Sequence, residues 1–355
     1  MSSMIQPHLE TLSSYITEDN LKEPIQSPKL ERYRNNIIFS IGNDSENKIQ
    51  IGPLQKSMLV EPSYTNNLVS ELAINICNKL TTFITNSNLP IVTYPNMEGF
   101  WRHLQIRENL EQEFIITFRL SNLDVYQDLW LVEQERLLNY LTNNFPKLIQ
   151  VFYQETIGKR EPTVNDPIYN ILDRKRLEQK MLGITFPIHP LTFFQVNYYS
   201  AELMFQKVKD ITNGGKLLLD LCCGVGIYSQ LLGKQFQKVI GIDSNKNNIE
   251  LAREYNQLDN VEYIAGSVED YMSECFQEGD VTLIINPCRS GLNRLDLSPY
   301  VKLAKQFIYI SCNPKSLKRD LDRLDWSNLK VEEIIGINQF PQTKEYEFLI
   351  NIKNR

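Results

Sequence analysis

A thiol, a guanidinium and a carboxylate each lie in or just after an apolar run in the second half of the chain. Cys312 follows the run "QFIYIS", Arg289 follows "VTLIIN", and Glu347 lies in the last run, "EYEFLINIK". Parallel sheets bind their ligands at the carboxyl ends of the strands, so we expect these side chains to meet there. A cysteine in such a place is a candidate nucleophile, and a nearby carboxylate is a candidate base.

The residues after Cys312 change from apolar to basic. Asn313-Pro314 precedes "KSLKRDL", which predicts a helix whose positive end faces the sulfur. Lys315, Lys318 and Arg319 would add positive charge and raise the population of thiolate. A solvated helix face explains the two lysines equally well.

A glycine-rich turn upstream has the spacing of a nucleotide-binding loop. Asp220 ends "KLLLDL", and Gly224 and Gly226 follow it in the pattern D-x-x-x-G-x-G. Ser229 occupies the place of the third glycine of dinucleotide-binding loops, which weakens the case for NAD. Asp243, about 20 residues further on, can accept both hydroxyls of a ribose, or it could cap the following helix. The pattern therefore favours S-adenosylmethionine, which has ribose hydroxyls but no pyrophosphate.

Apolar runs alternate with polar stretches of helix length from about Lys216 onward, which is typical of an α/β domain with a parallel sheet. The runs are "KLLLDL", "KVIGID", "VEYIAG", "VTLIIN" and "QFIYIS". Two more runs, "VEEIIGINQF" and "EYEFLINIK", are joined by a short polar connection. We expect them to close the sheet as a hairpin.

The first half has a different pattern, which predicts an α+β domain. Strands are expected at "RNNIIFSIG", "FWRHLQIR", "FIITFRL" and "LIQVFYQE". Helices are expected over 68–83, with Ser63 or Thr65 as the possible cap, and over 129–141. We place the domain boundary between 182 and 190, and divide the chain into residues 1–185 and 186–355.

Composition restricts the class of protein. The 355 residues are 42% apolar and 23% charged, with a formal net charge of −6, so the chain can form two domains but is not uniformly basic. No apolar run approaches the roughly 18 residues of a membrane span, and the start of the chain lacks the pattern of a targeting peptide. Six cysteines without a C-x-x-C pair, and three histidines, argue against a zinc or iron–sulfur site. We expect a cytoplasmic protein without metal or membrane association.

Four segments resemble motifs of the RNA 5-methyluridine methyltransferases, which methylate carbon 5 of uridine in transfer and ribosomal RNA. The family motifs F-F-Q-x-N, D-P-P-R-x-G, S-C-N-P-x-[ST]-x-x-R-D and F-P-x-T-x-H-x-E correspond here to residues 193–197, 286–291, 311–320 and 340–347. The resemblance covers 182–355 with high specificity. In the first half, "YRNNIIFSIG" and "GFWRHLQIR" also resemble the transfer-RNA branch of the family.

The resemblance implies a class I, Rossmann-like, S-adenosylmethionine-dependent methyltransferase domain preceded by an RNA-binding domain. In such enzymes a cysteine adds to carbon 6 of uracil, and a base later removes the hydrogen of carbon 5 so that the thiol can leave. Carried over by position, the nucleophile is Cys312 and the base is Glu347. The residues implied to contact the methyl donor are Gln195, Asp220, Cys222, Gly224, Gly226, Asp243 and Asn286. Those implied to contact the substrate are Arg289, Arg319, Phe340 and Thr343.

Four positions depart from the family pattern. Asn286 replaces the acidic residue of D-P-P-R, Glu345 replaces the histidine of H-x-E, and Cys222 replaces an aromatic residue. Ile227 stands where the transfer-RNA branch often has asparagine. Two carboxylates at 345 and 347 of a strand would point to one face and raise each other's pKa. Although Cys222 stands beside the implied methyl donor, we expect it to be a packing residue, like Cys223 and Cys288.

These departures leave three hypotheses. The first is methylation of a uridine in transfer RNA, with the T-loop uridine as the target. The second is a weakly active or inactive relative that binds transfer RNA and helps it to fold. The third is an N-methyltransferase in which Asn286-Pro287 holds an exocyclic amine, but Arg289 stands where that motif needs an aromatic residue.

Lifting a uridine out of a folded loop requires a phosphate-binding surface and a stacking ring. The basic candidates are 32–34, Arg102, Arg107 and 173–180, and the rings are Trp101 and Tyr33. Solvated surface charge explains each basic group equally well. The first half has no cysteine cluster, so the family resemblance favours transfer RNA over ribosomal RNA as the partner, and we expect a monomer.

Overall fold

The computed structural model describes residues 4–63, 66–276, 279–293 and 295–355. The chain forms two compact units, which differ in size. The larger unit consists of Met1–Leu30, Lys180–Phe186 and Thr192–Arg355. The smaller unit consists of Glu31–Gln179 and Pro187–Leu191.

The smaller unit is a six-stranded sheet with two helices. After α1 (Gln6–Thr11), which belongs to the larger unit, its elements are β1 (Asn36–Asn43), β2 (Ile49–Gly52), α2 (Glu71–Thr85), β3 (Trp101–Glu108), β4 (Phe114–Ser121), α3 (Leu123–Asn144), β5 (Leu148–Thr156) and β6 (Tyr169–Asp173). The strand order is β2-β1-β3-β4-β5-β6. All neighbours are antiparallel except β4 and β5, which α3 connects. The predicted α+β character of this region is confirmed.

Apolar periodicity explains why α2 packs on this sheet. Its side chains at Ile76, Leu80 and Phe83 recur at helical spacing and are buried in one cluster with the strands. The helix begins after Ser70, whose side chain accepts a hydrogen bond from the Ala73 N–H at 3.1 Å. The cap is therefore Ser70 and not Ser63, so the predicted helix starts too early; Thr65, the other predicted cap, lies outside the described residues.

The larger unit contains a seven-stranded sheet flanked by helices. Two short strands, β7 (Leu177–Met181) and β8 (Ile184–Ile188), pair with each other. They lie in the part of the sequence where the chain passes from one unit to the other. The elements that follow are α4 (Tyr198–Ile211), β9 (Gly215–Leu221), α5 (Ile227–Leu232), β10 (Phe236–Asp243), α6 (Lys246–Glu254), β11 (Val261–Ala265), α7 (Val268–Cys275), β12 (Val281–Ile285), α8 (Ser298–Val301), β13 (Gln306–Ser311), α9 (Pro314–Leu321), β14 (Leu329–Ile337) and β15 (Glu347–Asn354).

The strand order of this sheet is β11-β10-β9-β12-β13-β15-β14. The five strands from β9 to β13 in chain order run parallel, and β15 is antiparallel to both β13 and β14. The predicted α/β domain and its closing hairpin are confirmed. Because strand order reverses between β9 and β12, their carboxyl ends form the crevice in which such sheets bind ligands.

The two faces of the sheet differ in what they carry. Phe307, Tyr309, Phe348 and Ile350 belong to one buried apolar cluster, so alternate residues of β13 and β15 lie on the opposite face. There Gln306 donates a hydrogen bond to the carbonyl of Ile211, the last residue of α4, at 2.8 Å. We call this second face the α4 face.

The first 30 residues belong to the larger unit, although the sequence division places them with residues 31–185. Apolar burial and backbone pairing are the physical reasons. Ile5 and Leu12 are fully buried in the cluster of the seven-stranded sheet. Further on, Lys22 N–H donates to Ile334 O at 3.0 Å and Ile25 N–H donates to Gly336 O at 2.9 Å, so this segment covers the outer edge of β14.

The helices of the structure were also compared with the length and hydropathy of membrane spans. Within the described ranges, no helix is both long enough and apolar enough to cross a bilayer.

Candidate active site

Cys312 and Glu347 lie opposite each other at the ends of neighbouring antiparallel strands. β13 and β15 pair Ile310 with Leu349 and Ser311 with Phe348, and the next step of this register pairs Cys312 with Glu347. Residues directly opposed in this way have Cβ atoms about 4.5–5.5 Å apart. Strand alternation places both side chains on the α4 face. The structure therefore brings the predicted nucleophile and the predicted base together.

Glu347 is a buried carboxyl with an unpaired oxygen. Glu347 is 4% exposed, and its Oε2 has no hydrogen-bond partner among the described residues. Burial raises the pKa of Glu347 to about 7, while the positive charge of Arg289 acts in the opposite direction. A carboxyl with a pKa close to the working pH is suited to act as a general base.

Glu345 does not share this environment. It is exposed and precedes β15, which begins at Glu347. The expectation that the two carboxylates lie on one face of a strand is therefore wrong, and the pKa of Glu347 is shifted by burial and by Arg289. The physical reason is the turn at 341–346, which keeps Glu345 outside the strand.

Cys312 is half-buried, and its ionisation responds to two charged neighbours. Burial and, to a smaller extent, the charge of Glu347 raise the pKa of the Cys312 thiol to about 11. Arg289 lowers this pKa through its positive charge and through a hydrogen bond to the thiol. Arg289 is thus the cation that favours the thiolate.

The cations of α9 contribute differently from what the sequence suggested. The predicted helix start at Pro314 is confirmed, and Asn313 caps it by accepting a hydrogen bond from Lys315 N–H at 3.1 Å. Lys318 pairs with Asp322 at 2.7 Å, and Arg319 pairs with Asp320 at 2.7 Å. The structure therefore directs Lys318 and Arg319 to carboxylates of their own helix.

Arg319 also holds the loop that carries Arg289. Its Nη2 donates to Ser290 O at 2.6 Å, and Asn313 Nδ2 donates to Arg289 O at 3.0 Å. These two bonds join the start of α9 to the loop after β12. Arg319, which the resemblance assigns to the substrate, is here a residue that positions the loop.

Asp320 anchors the same loop from inside. Its Oδ2 accepts hydrogen bonds from Leu292 N–H and from the Tyr309 hydroxyl, both at 2.7 Å. Gly291 has φ +69°, and a Cβ there would lie 2.3 Å from Asp320 Oδ2. Only glycine fits this close approach of the backbone to the carboxylate.

Phe340 and Thr343 form the turn before β15. Thr343 donates to Phe340 O through its N–H at 3.1 Å and through its hydroxyl at 2.7 Å. The Thr343 hydroxyl oxygen accepts from Glu345 N–H at 3.2 Å. Phe340 is half-buried. Thr343 therefore fixes the chain entering β15, and with it the position of Glu347.

Asp220 organises the glycine-rich turn. It is 1% exposed, and its Oδ2 accepts from the N–H of Ser229 at 2.9 Å and from its hydroxyl at 2.7 Å. Burial raises the pKa of Asp220 to about 7, against the two bonds from Ser229. Ser229, which replaces a third glycine, thus ties the first turn of α5 to the end of β9.

Asp243 spans the turn from the neighbouring strand. Its Oδ2 accepts from Gly224 N–H at 2.9 Å, and its Oδ1 accepts from Asn245 N–H at 2.8 Å and from Asn248 Nδ2 at 3.1 Å. The cap of α6 is Asn245 rather than Asp243, because the Asn245 side chain accepts from Asn247 N–H.

The glycine-rich turn borders open space at its first glycine. Gly224 has φ +57°, and a Cβ there would meet no atom of the described residues within 4 Å. Gly226 has φ +79°, but a Cβ there would lie 2.3 Å from the Tyr263 hydroxyl. The first glycine therefore borders open space, and the second allows close packing of the turn. The half-buried Asp243 carboxylate retains lone pairs for hydroxyl donors.

Gln195 belongs to a buried amide network that sequence reasoning missed. Gln339, fully buried, donates from Nε2 to Gln195 Oε1 and to Asn197 O, both at 3.2 Å. Asn197 Nδ2 donates to Gln339 O and to Ser27 Oγ, both at 3.1 Å. Gln339 directly precedes the motif at 340–347, but nothing in the spacing of the sequence marks it.

The remaining positions implied for the methyl donor lie at the same end of β9. Asn286 N–H donates to Leu221 O at 3.4 Å, which places the half-buried Asn286 beside the glycine-rich turn. Cys222 is half-buried with φ +59°, and burial and the charge of Asp243 raise its pKa to about 12.

Cys223 is buried as expected. Cys288 is exposed, so its predicted packing role is wrong, because the loop after β12 turns it to solvent beside Ser290.

Four predicted RNA contacts in the smaller unit are buried. Arg102, Arg107, Trp101 and Tyr33 are at most 3% exposed, so none of them presents a surface to phosphate or to a base. Arg102 lies at 2.5 Å from Glu161, to which Arg119 also binds at 3.0 Å. These predictions are wrong because β3, which carries Trp101, Arg102 and Arg107, is buried on both faces, and Tyr33 is buried just before β1. The basic residues at 174–176 are exposed.

Clusters of metal-ligating side chains were also sought. No group of three or more His, Cys, Asp or Glu residues in the described part of the chain could hold a metal ion.

The second half of the chain is similar in sequence to a known protein family. Residues 183–355 match the family model described as tRNA (Uracil-5-)-methyltransferase. A protein of Clostridium tetani, named an uncharacterized RNA methyltransferase, is 29% identical over 344 residues, which are 94% of this chain and 74% of the relative. The tRNA (uracil(54)-C(5))-methyltransferase of Pyrococcus horikoshii is 26% identical over 93% of this chain and 76% of its own length.

A solved structure shares the fold. The crystal structure of the Pyrococcus abyssi tRNA (uracil-54, C5)-methyltransferase in complex with S-adenosyl-L-homocysteine superposes with a TM-score of 0.77 at 24% identity. The match covers 98% of this chain and 81% of the other. It confirms the Rossmann-like fold and the α+β region that precedes it.

Proposed function

We propose that the chain is a member of the tRNA (uracil-5-)-methyltransferase family, whose model matches residues 183–355, and that it methylates carbon 5 of a uridine in transfer RNA. S-adenosylmethionine supplies an electrophilic methyl group when bound. The observation that carries the proposal is the opposed pair of Cys312 and Glu347 with Arg289 bonded to the thiol. The target is the uridine of the T loop, in accordance with the name of the Pyrococcus relative.

The residues that would hold the methyl donor surround the ends of β9, β10 and β12. Asp243 would accept the ribose hydroxyls, Gly224 would allow the close approach of the adenosine, and Gln195 would bind the other end of the donor. Asp220 and Ser229 keep the glycine-rich turn in shape for this contact. The open space at Gly224 supports the assignment.

Cys312 and Arg289 would perform the first step on uracil. The sulfur forms a bond to carbon 6, and the electrons of the carbon 5–carbon 6 double bond move toward carbon 5, which makes that carbon nucleophilic. The Arg289 guanidinium stabilises the thiolate that attacks, because its hydrogen bond and charge lower the pKa of Cys312.

Glu347 would perform the last step. Its carboxylate takes the hydrogen of carbon 5 as a proton, the electrons of that bond restore the carbon 5–carbon 6 double bond, and the bond from carbon 6 to sulfur breaks. Cys312 leaves as thiolate. With a pKa of about 7, Glu347 is ionised often enough to accept this proton near neutral pH.

The smaller unit would bind the body of the transfer RNA. We infer this role from its sheet and from the exposed basic residues at 174–176, and we propose that the protein acts in the cytoplasm as a monomer. Electrostatic binding of this kind weakens steeply as salt is added.

The decisive experiment uses transfer RNA that contains 5-fluorouridine, incubated with the protein and S-adenosylmethionine. A base can remove hydrogen from carbon 5 as a proton, but it cannot remove fluorine in this way, so the covalent adduct is trapped. We therefore expect a stable protein–RNA complex in denaturing gels. Cys312→Ala should abolish it, and Cys288→Ala is the matched control because that thiol is exposed but lies outside the opposed pair.

Other outcomes discriminate among the alternatives. Tight binding of transfer RNA without adduct, and without methyl transfer to ordinary RNA, would refute the enzyme and favour a folding helper. Radioactive methyl recovered on a base nitrogen would favour the N-methyltransferase, with Asn286-Pro287 as its amine-binding segment. Methyl recovered on carbon 5 of a uridine outside the T loop would correct the target only.

A further inference from the structure

Gln339 is a fully buried amide that binds two neighbours through one nitrogen atom. Its Nε2 lies 3.2 Å from Asn197 O and 3.2 Å from Gln195 Oε1. A main-chain carbonyl oxygen accepts hydrogen bonds and cannot donate them. The branch of the Gln339 amide that faces Asn197 O is therefore the NH2 group.

The orientation of Gln339 decides the orientation of Gln195. The second hydrogen of Gln339 Nε2 points at the Gln195 amide, where only an oxygen can accept it. Gln195 is 4% exposed, and turning its amide over would place two buried NH2 groups face to face, which is costly. Gln195 therefore directs Oε1 toward Gln339 and its own NH2 group along the other branch of the amide.

Asn197 keeps this amide pair from rotating. Its Nδ2 donates to Gln339 O and to Ser27 Oγ, both at 3.1 Å. Asn197 is itself fully buried and caps α4 by accepting a hydrogen bond from Ser200 N–H at 3.3 Å. Gln339 is thus held at its main chain and at its side chain by the residue that begins α4, so it cannot turn without breaking bonds there.

The amide pair lies at the ligand-binding edge of the seven-stranded sheet. Gln339 follows β14, whose last residue, Ile337, is the register partner of Glu347. Its N–H donates to Ile337 O at 2.8 Å. Glu347 in turn opposes Cys312 at the end of β13, and sheets of this kind bind their ligands where the parallel strands end. The NH2 group of Gln195 is therefore a hydrogen-bond donor at the edge where the methyl donor would bind.

The methionine end of S-adenosylmethionine carries two groups of opposite hydrogen-bonding character. Its carboxylate can only accept hydrogen bonds, and its ammonium group can only donate them. An amide NH2 group binds the carboxylate, whereas an amide oxygen binds the ammonium group. The orientation of Gln195 therefore decides which of these two groups it can recognise.

We propose that Gln339 is a positioning residue that fixes the Gln195 amide with its NH2 group toward the carboxylate of the methyl donor. The inference rests on the proposed function, in which Gln195 binds this end of the donor, and it names the group that is bound. Gln339 acts through Gln195 and not on the reacting atoms. By removing the alternative orientation before the ligand arrives, it lowers the cost of ordering the site on binding.

The test compares three adenosine ligands on the full chain by titration calorimetry. S-adenosylhomocysteine has the carboxylate and the ammonium group, its decarboxylated analogue lacks only the carboxylate, and methylthioadenosine lacks both. We define the carboxylate selectivity as the ratio of the association constants of the first two ligands. Gln339→Met keeps the length of the side chain and removes its donors, and we expect it to lower this selectivity roughly 3- to 10-fold while the affinity for methylthioadenosine stays unchanged.

Ser27→Ala is the matched control. Ser27 is buried and accepts from Asn197 at the other end of the same network, whereas the bond to the Gln195 amide comes from Gln339. A substitution that only loosens the network changes the three affinities together. Ser27→Ala should therefore keep the wild-type carboxylate selectivity.

Gln195→Met shows whether Gln339 acts through Gln195. It should lower the carboxylate selectivity by itself, and this measurement stands even where Gln339→Met does not fold. In the Gln195→Met background, Gln339→Met should change the selectivity by less than about twofold, because substitutions that remove the same interaction are not additive.

Three results would overturn the inference. They are a Gln339→Met protein with the wild-type selectivity, a Gln195→Met protein with the wild-type selectivity, and additive effects of the two substitutions. A wild type that shows the expected ligand pattern but transfers no methyl group to RNA refutes the proposed function and leaves the role of Gln339 standing. An active wild type whose Gln339→Met variant keeps full selectivity does the reverse.

Discussion

The reactivity of Cys312 depends on two neighbours of opposite charge. Glu347 raises the pKa of the thiol and Arg289 lowers it, on top of the larger effect of burial. A nucleophile that is mostly protonated in the free protein is protected from oxidation and alkylation. Its conversion to thiolate is therefore coupled to the events that fill the site.

Glu347→Gln should make Cys312 more reactive toward iodoacetamide. Removing the carboxylate lowers the pKa of the thiol from about 11 toward its ordinary value of 9.0, and we expect alkylation at about pH 8.5 to be roughly 3- to 10-fold faster. Below about pH 5 the wild-type Glu347 is itself neutral, so the difference should disappear. Mass spectrometry of the peptide that contains Cys312 measures the rate, with exposed Cys288 as the internal reference.

Removing the positive neighbour of the thiol tests the same electrostatic effect in the opposite direction. Arg289→Ala removes the cation that lowers the pKa, so it should slow alkylation of Cys312 at the same pH. A Glu347→Gln protein that reacts at the wild-type rate or more slowly would show that the carboxylate is not felt by the thiol.

Single residues were predictable from the sequence only where a motif fixes them. The motifs at 311–320 and 340–347 led to Cys312 and Glu347, and register explains why they meet. Gln339 could not be predicted, because its burial depends on contacts with Asn197 at the start of α4. Arg102 was predicted wrongly because β3 is buried on both faces, which its sequence does not reveal.

At the scale of elements, the loop after β12 depends on α9 for its shape. Arg319 reaches Ser290 O, and Asp320 receives the N–H of Leu292 and the hydroxyl of Tyr309. Arg289 sits on this loop and touches the thiol at the other end of the same helix. The helix thus connects the position of the guanidinium to that of the nucleophile.

Arg319→Ala should loosen this loop without removing any group that contacts the reacting atoms. Asp320 is fully buried in its side chain while Arg319 is 40% exposed, so we expect a loss of about 1–3 kcal/mol in the free energy of unfolding. Formation of the trapped adduct should fall on the order of 10- to 100-fold through misplacement of Arg289. Calorimetry and the 5-fluorouridine assay measure the two effects.

Lys318→Ala is the control on the same helix. Lys318 and Asp322 form an i,i+4 pair whose side chains are 39% and 46% exposed, and such pairs contribute about 0–1 kcal/mol. Equal effects of the two alanines would show that the loop does not depend on Arg319.

Element bounds in the larger unit agree closely with the apolar runs, because buried parallel strands have continuous apolar sequences. The prediction was poorer where this signal is weak. α3 begins at Leu123, six residues before the predicted start, since exposed apolar residues such as Val125 and Val132 obscure its amphipathic period. β6 was missed because its five residues, "YNILD", are largely solvent-accessible.

At the scale of the whole molecule, the start of the chain belongs to the seven-stranded sheet. Leu21 and Ile25 bridge to Ile334 and Ile337 in parallel orientation along the edge of β14. An edge strand covered in this way cannot pair with another chain. The division of the sequence near residue 185 does not reveal this, because the pairing joins segments with no local pattern in common.

Leu12→Ala should therefore destabilise the larger unit. Leu12 is fully buried in the cluster of that sheet, so we expect a loss of about 2–5 kcal/mol in the free energy of unfolding. Leu30→Ala is the control, because Leu30 is 56% exposed and exposed substitutions change stability by about 0.5 kcal/mol or less. Chemical denaturation measures both, and equal midpoints would contradict the packing of the first 30 residues described above.

The covered edge of β14 has a consequence for how the chain is made. On the ribosome the segment around Leu21 and Ile25 emerges long before β14 and β15. Residues 31–179 can meet most of their partners as soon as they are synthesised, but the early segment must wait for β14 before it pairs. Contacts between distant parts of a chain form slowly. The edge of β14 is therefore covered by residues that were made well before the strand that they cover.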